Sequence, residues 1–167
     1  MTVHSGGCQC GAVRYRLTRE TLVVYACHCR ECQKQSASAF GLSVPFAREE
    51  LELTGELATW RRPTDSGSVT TAYFCPACGV RVFHVSDRNP ERGSLKGGTL
   101  DDPSGLQPRF HLWASRKQPW VTLPEDAVQF ERQPEDFAAI RALMRAISGR
   151  LANSSAGPSA RKASGVA

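Results

Sequence analysis

No apolar run in this 167-residue chain approaches the roughly 20 residues that a helix needs to span a bilayer, so a helical membrane protein is excluded and no membrane partner is expected. Residues 1–7 lack a basic stretch followed by an apolar run, the pattern that directs secretion, and a cytoplasmic protein is expected. No internal repeat of useful length is present. A disulfide framework is disfavoured on two counts: the expected compartment is reducing, and seven cysteines cannot all pair within one chain. Strong basicity is lacking too. The formal charge of +5 treats every cysteine as neutral, and ionised cysteines would lower it further. With Arg161 and Lys162 in the terminal tail, and Arg61-Arg62 and Arg116-Lys117 reading as solvated loop charge, no nucleic-acid partner is expected.

The cysteines that are present fall into tight clusters: Cys8-Gln9-Cys10, Cys27-His28-Cys29, the overlapping Cys29-Arg30-Glu31-Cys32, and Cys75-Pro76-Ala77-Cys78. Seven ligands divide into four plus three, which reads as two zinc sites of unequal completeness, one closed and one with a vacant position. Cys8-Gln9-Cys10-Gly11 and Cys75-Pro76-Ala77-Cys78-Gly79 both end in glycine, which takes the positive φ that lets backbone amides curl toward a bound sulfur. Pairing these knuckles gives a four-thiolate structural staple. Cys27, Cys29 and Cys32 come from one glycine-free stretch and occupy one side of a tetrahedron, leaving the other side open. Alternatives at this stage are a redox dithiol, a buried thiol, or a second closed site completed by His84, His111 or a partner's side chain. His28 fits less well as a ligand, because alternating side chains of an extended segment point to opposite sides.

Short strands separated by turn residues dominate the remaining pattern. Period-two alternation over 12–17 and 80–85, with further candidates at 22–26, 40–44, 51–53, 58–61, 69–74, 94–96 and 110–114, predicts a mainly β, largely antiparallel domain over residues 3–132. The glycine-free segment 30–36 predicts a helical turn. Residues 133–152 read as one amphipathic helix with Phe137, Ile140, Met144, Ile147 and Leu151 on its apolar stripe and Glu135 and Asp136 in its first turn. That stripe is expected to pack on its own domain, with pairing in a homo-oligomer as the alternative. Ser, Ala, Gly and Pro in 153–167 predict a disordered tail.

Three segments carry a family resemblance: Gly6-Gly7-Cys8-Gln9-Cys10-Gly11-Ala12-Val13-Arg14-Tyr15, Ala26-Cys27-His28-Cys29-Arg30-Glu31-Cys32-Gln33-Lys34-Gln35-Ser36, and Phe74-Cys75-Pro76-Ala77-Cys78-Gly79. Together with Gly97-Gly98-Thr99-Leu100-Asp101 and His111-Leu112-Trp113-Ala114-Ser115, they resemble the successive motifs of the glutathione-dependent formaldehyde-activating enzyme (GFA) family, also called the CENP-V/GFA domain, over residues 3–120. The resemblance implies an Mss4-like folded antiparallel sheet, or β-tent, with zinc knuckles. It implies a structural zinc on Cys8, Cys10, Cys75 and Cys78 and a catalytic zinc on Cys27, Cys29 and Cys32. The implied reaction is that of a carbon–sulfur lyase joining the thiol of glutathione to formaldehyde to give S-hydroxymethylglutathione. One departure stands out: the family typically has glycine after the serine that follows the three-cysteine motif, and this chain has Ala37.

Beyond the sulfurs, His28, Glu31 and His111 are candidate proton-transfer groups, with none nominated as catalytic. Arg30, Lys34, Arg61 and Arg116 are candidates for holding the two carboxylates of glutathione through charge-assisted hydrogen bonds. Two other classes remain in view, a zinc-stabilised non-catalytic interaction module and a redox or zinc-buffering protein, because a shared fold does not fix a reaction.

Overall fold

The computed structural model describes residues 1–65, 67–134 and 137–155. Its strands are β1 (Val3–Gly7), β2 (Arg14–Thr18), β3 (Val24–Cys27), β4 (Gly41–Ala47), β5 (Leu51–Thr54), β6 (Ala58–Pro63), β7 (Val69–Phe74), β8 (Arg81–Ser86), β9 (Arg92–Lys96), β10 (Pro108–Leu112) and β11 (Val128–Phe130). Two α-helices accompany them, α1 (Arg30–Ser36) and α2 (Phe137–Ser155). The fold is mainly β, as expected. A small antiparallel sheet in the order β1-β2-β5 packs on a large one in the order β11-β10-β3-β4-β9-β8-β7-β6. The large sheet is mixed: β10 runs parallel to both β3 and β11, while its other neighbouring strands are antiparallel.

Strand parity explains how the large sheet divides its side chains. Cross-strand partners share a face, so the row Val44, Leu95, Phe83 and the row Phe46, Gly93, Val85 look the same way. These join Tyr15 and Leu17 of β2 in the main core between the sheets. Burial of each large apolar side chain there contributes about 1.5–3 kcal/mol. Gly93 is required in its row, because a Cβ there would lie 2.3 Å from the Phe46 ring.

The opposite face is different. Tyr25, Ser43 and Lys96 form one row, Ser94 and His84 another, and Arg62, Thr70 and Ser86 a third. A sheet face this polar is unsuited to a dry core, and α2 covers only one part of it. Ile140, Met144 and Ile147 pack on Val23, Cys27, Phe110 and Leu112, with Leu151 partly buried beside them, so this part of the expected stripe is buried against its own domain. The expected first-turn residues Glu135 and Asp136 lie outside the described residues. The helix continues to Ser155, three residues into the segment expected to be disordered, and 156–167 lie outside the described residues.

The helix α1 begins at Cys29, whose sulfur accepts a hydrogen bond from the Cys32 amide at 3.4 Å, and ends at Ala37. Ala37 adopts φ 48°, ψ 38°, the left-handed conformation that terminates helices and suits glycine. The family's usual glycine therefore has a backbone reason, and this chain carries the Cβ penalty, about 1–2 kcal/mol, in its place. Ala37→Gly is expected to raise stability by about 0.5–1 kcal/mol after the extra unfolded-state entropy of glycine is subtracted, or roughly 1–4 °C in melting temperature. Thermal unfolding by circular dichroism checks this; an unchanged or lowered midpoint contradicts it.

Candidate metal centres and active site

Two turns of the same design bring four cysteines together. In the first, the Cys8 amide bonds to the Val13 carbonyl and the Gly11 amide to the Cys8 carbonyl; in the second, the Cys75 amide bonds to the Val80 carbonyl and the Gly79 amide to the Cys75 carbonyl. Gly11 and Gly79 have φ of 79° and 74°, the positive values anticipated from the sequence. The Val13 amide donates to the Cys8 sulfur at 3.2 Å, as a metal knuckle requires.

The sulfurs of Cys8, Cys10, Cys75 and Cys78 all lie within 4.8 Å of one another, with Cys8 to Cys10 at 3.5 Å and Cys10 to Cys75 at 3.7 Å. These separations are far longer than a disulfide bond of about 2.05 Å. They match the edge of a tetrahedron around zinc, which is roughly 3.8 Å for metal–sulfur distances of about 2.3 Å. The donor set fits a four-thiolate ion. Cys8 and Cys75 are buried in the main core, so this cluster clips the β1–β2 turn to the β7–β8 turn.

The sulfurs of Cys27, Cys29 and Cys32 also lie within 4.8 Å of one another, and among the described residues no fourth cysteine, histidine, aspartate or glutamate atom joins them. Cys27 is the last residue of β3, and Cys29 and Cys32 flank the first turn of α1, so sheet and helix fix the three donors from two directions. Their acidity is sharply divided. Cys29 is drawn down to about 2, chiefly by the Cys27 and Cys32 thiols and then by the amides of Cys32 and Glu31. Cys27 is pushed far up by the Cys29 and Cys32 thiols and by burial. Three sulfurs this close cannot all ionise by themselves, whereas a divalent cation between them removes the conflict, so the residues fit a three-thiolate ion.

This cluster faces a cavity of about 330 Å³, within the roughly 300–1,000 Å³ common for small-molecule sites. The polar sheet face forms its floor, with Ser94, His84 and Thr70, while Ile140, Arg141 and Met144 of α2 and Trp113 contribute to its walls. Trp113 has φ 58°, and the guanidinium of Arg116 lies 4.2 Å from its ring centroid. Gln33 fastens α1 beside the cavity. Its amide nitrogen donates to the carbonyls of His28 at 2.6 Å and Arg116 at 2.9 Å.

The residues singled out from sequence separate clearly. Glu31, Arg30 and Arg116 line the cavity; Lys34 and Arg61 are not among its lining residues. His28 turns away from the three sulfurs into the interior, where its Nε2 lies 3.0 Å from Nδ1 of His111 and its ring packs on Phe40. Burial lowers the pKa of both histidines, to about 4 for His28. Neither ring is placed for proton transfer at the cavity. His84 lines the cavity without joining the cysteines, and its Nδ1 is enclosed without a partner. Sequence reasoning missed Arg62, Arg92 and Arg141. Parity was the available signal for Arg62, which stands opposite Thr70 on the cavity face, whereas Arg61 alternates to the other side.

A family model described as "Glutathione-dependent formaldehyde-activating enzyme" matches residues 3–116. The chain belongs to this family. Two relatives of the glutathione-dependent formaldehyde-activating family carry the name "Putative glutathione-dependent formaldehyde-activating enzyme". One, from Penicillium rubens, is 26% identical over 145 residues, covering 84% of this chain and 70% of the relative. The other, from Sordaria macrospora, is 31% identical over 93 residues, covering 50% of this chain and 35% of the relative, so the match spans about a third of that protein. A crystal structure of a Rhodobacter sphaeroides protein is 24% identical, with a TM-score of 0.47, covering 63% of this chain and 92% of the other. The family segment contains both cysteine clusters and ends before α2. Among the described residues no helix is long and apolar enough to cross a membrane.

Proposed function

We propose that this chain is a zinc-dependent carbon–sulfur lyase that joins glutathione to formaldehyde, forming S-hydroxymethylglutathione, with Cys27, Cys29 and Cys32 as the catalytic metal ligands. The observation that carries this reading is the position of three converging sulfurs, without a fourth ligand atom among the described residues, beside a cavity large enough for a small thiol. Family membership supplies the reactants. The other four cysteines, of which Cys8 and Cys75 are set in the core, hold the structural zinc in this reading.

Zinc at the three-cysteine site supplies one thing: it keeps a substrate sulfur as thiolate near neutral pH. Cys27, Cys29 and Cys32 hold that position from the end of β3 and the start of α1. The reaction is balanced without a co-reactant. A sulfur–carbon bond forms, the carbon–oxygen π bond breaks, and the proton lost from sulfur is matched by the one gained at oxygen.

The test is exchange spectroscopy by NMR on the protein loaded with zinc, using ¹³C-formaldehyde and glutathione. The expected result is that exchange between free formaldehyde and S-hydroxymethylglutathione runs well above its spontaneous rate, with two zinc ions per chain. A protein holding both ions that leaves the spontaneous rate unchanged overturns the proposal.

A further inference from the structure

The cavity carries five arginines, Arg30, Arg62, Arg92, Arg116 and Arg141, against the two carboxylates of Glu31 and Asp65. Internal partners account for three of the five. Arg62 lies 3.9 Å from Glu31, Arg116 lies 3.8 Å from Asp65, and Arg30 donates to the side-chain oxygen of Gln33 at 3.2 Å. The guanidiniums of Arg92 and Arg141 have no ion-pair or hydrogen-bond partner among the described residues. They come from different elements, Arg92 from the first position of β9 and Arg141 from the second turn of α2. The sheet adds the hydroxyls of Ser94, Ser86 and Thr70 to the same cavity, beside apolar side chains such as Phe110 and Ile140.

Such a lining is costly unless a ligand uses it. Guanidiniums crowded together repel, and a sheet face of hydroxyls gains nothing from being covered by a helix. A dianionic ligand relieves both costs, because paired guanidinium–carboxylate hydrogen bonds are stronger than neutral ones and the hydroxyls satisfy amide groups between the charges.

We propose that Arg92 and Arg141 bind the carboxylates of the thiol substrate, so that α2, which lies outside the family-matched segment, is a specificity element of this chain. The inference rests on the lyase reading for the thiol and adds the groups that select a thiol bearing two carboxylates. Arg92 and Arg141 are positioning residues; the bond that forms lies at the three-cysteine end of the cavity.

The experiment is calorimetric titration of the zinc-loaded full chain with S-methylglutathione, which cannot react, and with its dimethyl ester, which has the same shape without the negative charges. Arg92→Ala and Arg141→Ala are each expected to weaken S-methylglutathione binding roughly tenfold or more, the usual scale for a charge-assisted hydrogen-bonded pair. Both are expected to change binding of the diester less than about twofold. Arg145→Ala, which removes the same charge from α2 one turn beyond the cavity, is expected to leave S-methylglutathione binding within about twofold. In turnover, both cavity variants raise KM for glutathione with little change in kcat. Arginine variants that bind the diacid like the parent, or that lose the same factor on the diester, overturn the inference while catalysis by the parent leaves the lyase reading standing. A parent protein that neither binds S-methylglutathione nor accelerates adduct exchange overturns both.

Discussion

Cys75→Ser is expected to lower the melting temperature by about 10 °C or more and to reduce the bound metal by one ion per chain. Cys75 is fully buried, and its sulfur lies 3.7 Å from that of Cys10, a residue 65 positions away. A metal joining the two turns closes that loop in the folded state alone, and the corresponding chain entropy is on the order of 4 kcal/mol. Serine supplies no thiolate at the pH of folding, so the ion loses a donor and the clip between the β1–β2 and β7–β8 turns loosens. The change also leaves a hydroxyl at a fully buried position of the main core. For a chain of this length, roughly 2–4 °C accompanies each kcal/mol, which sets the expected scale. Differential scanning calorimetry with parallel zinc analysis decides the matter. An unchanged midpoint means that this cluster does not staple the fold.

The cysteine clusters were legible in the sequence because metal-knuckle chemistry is local: two sulfurs two or three residues apart and a glycine that turns positive φ specify most of the turn. Gly11 and Gly79 adopt that conformation. The central strands were legible from their short apolar runs between turn residues, although strict alternation over 80–85 fails where Val82 and Phe83 both enter the main core beside the irregularity in the β7–β8 pairing. The edges were not. β1 has two glycines and little alternation, and its place is fixed by pairing with β2 and by the bridge from Gly6 to Leu100, a contact far along the chain. β11 is three residues long and is held parallel to β10, an arrangement that local pattern does not encode. The predicted strand over 12–17 starts at Arg14, because Val13 is consumed by the knuckle through its amide and carbonyl.

The cavity was the least legible feature, and the reason is physical. Arg92 and Arg141 are 49 positions apart on a strand and a helix whose relative placement depends on the packing of Ile140, Met144 and Ile147. Each arginine in isolation looks like ordinary surface charge. Only the tertiary fold gathers them over the same polar face, and only strand register distinguishes Arg62 from Arg61. The buried histidine pair shows the converse. His28 and His111 looked like proton-transfer candidates because histidine titrates near neutrality, but burial keeps both rings uncharged and their hydrogen bond turns them inward.

Cys29→Ser is expected to abolish adduct formation above the spontaneous rate while moving the melting temperature by no more than about 4 °C. The variant separates chemistry from folding because of where Cys29 sits. It caps α1, accepting from the Cys32 amide at 3.4 Å, and serine is among the best residues for that task, so the start of the helix survives. Cys29 is also only partly buried, at the cavity wall, unlike Cys75 in the core. What serine cannot supply is the thiolate. Cys29 is the most acidic of the three sulfurs, drawn down to about 2 by its two neighbours and by the helix amides, and a hydroxyl in its place stays protonated. The ion then has two sulfurs rather than three, binds weakly, and no longer keeps a substrate sulfur ionised. Zinc titration should show one tight site instead of two, and exchange NMR should return the uncatalysed rate. Equal destabilisation of Cys29→Ser and Cys75→Ser would contradict the division of roles, since both clusters would then be holding the fold together.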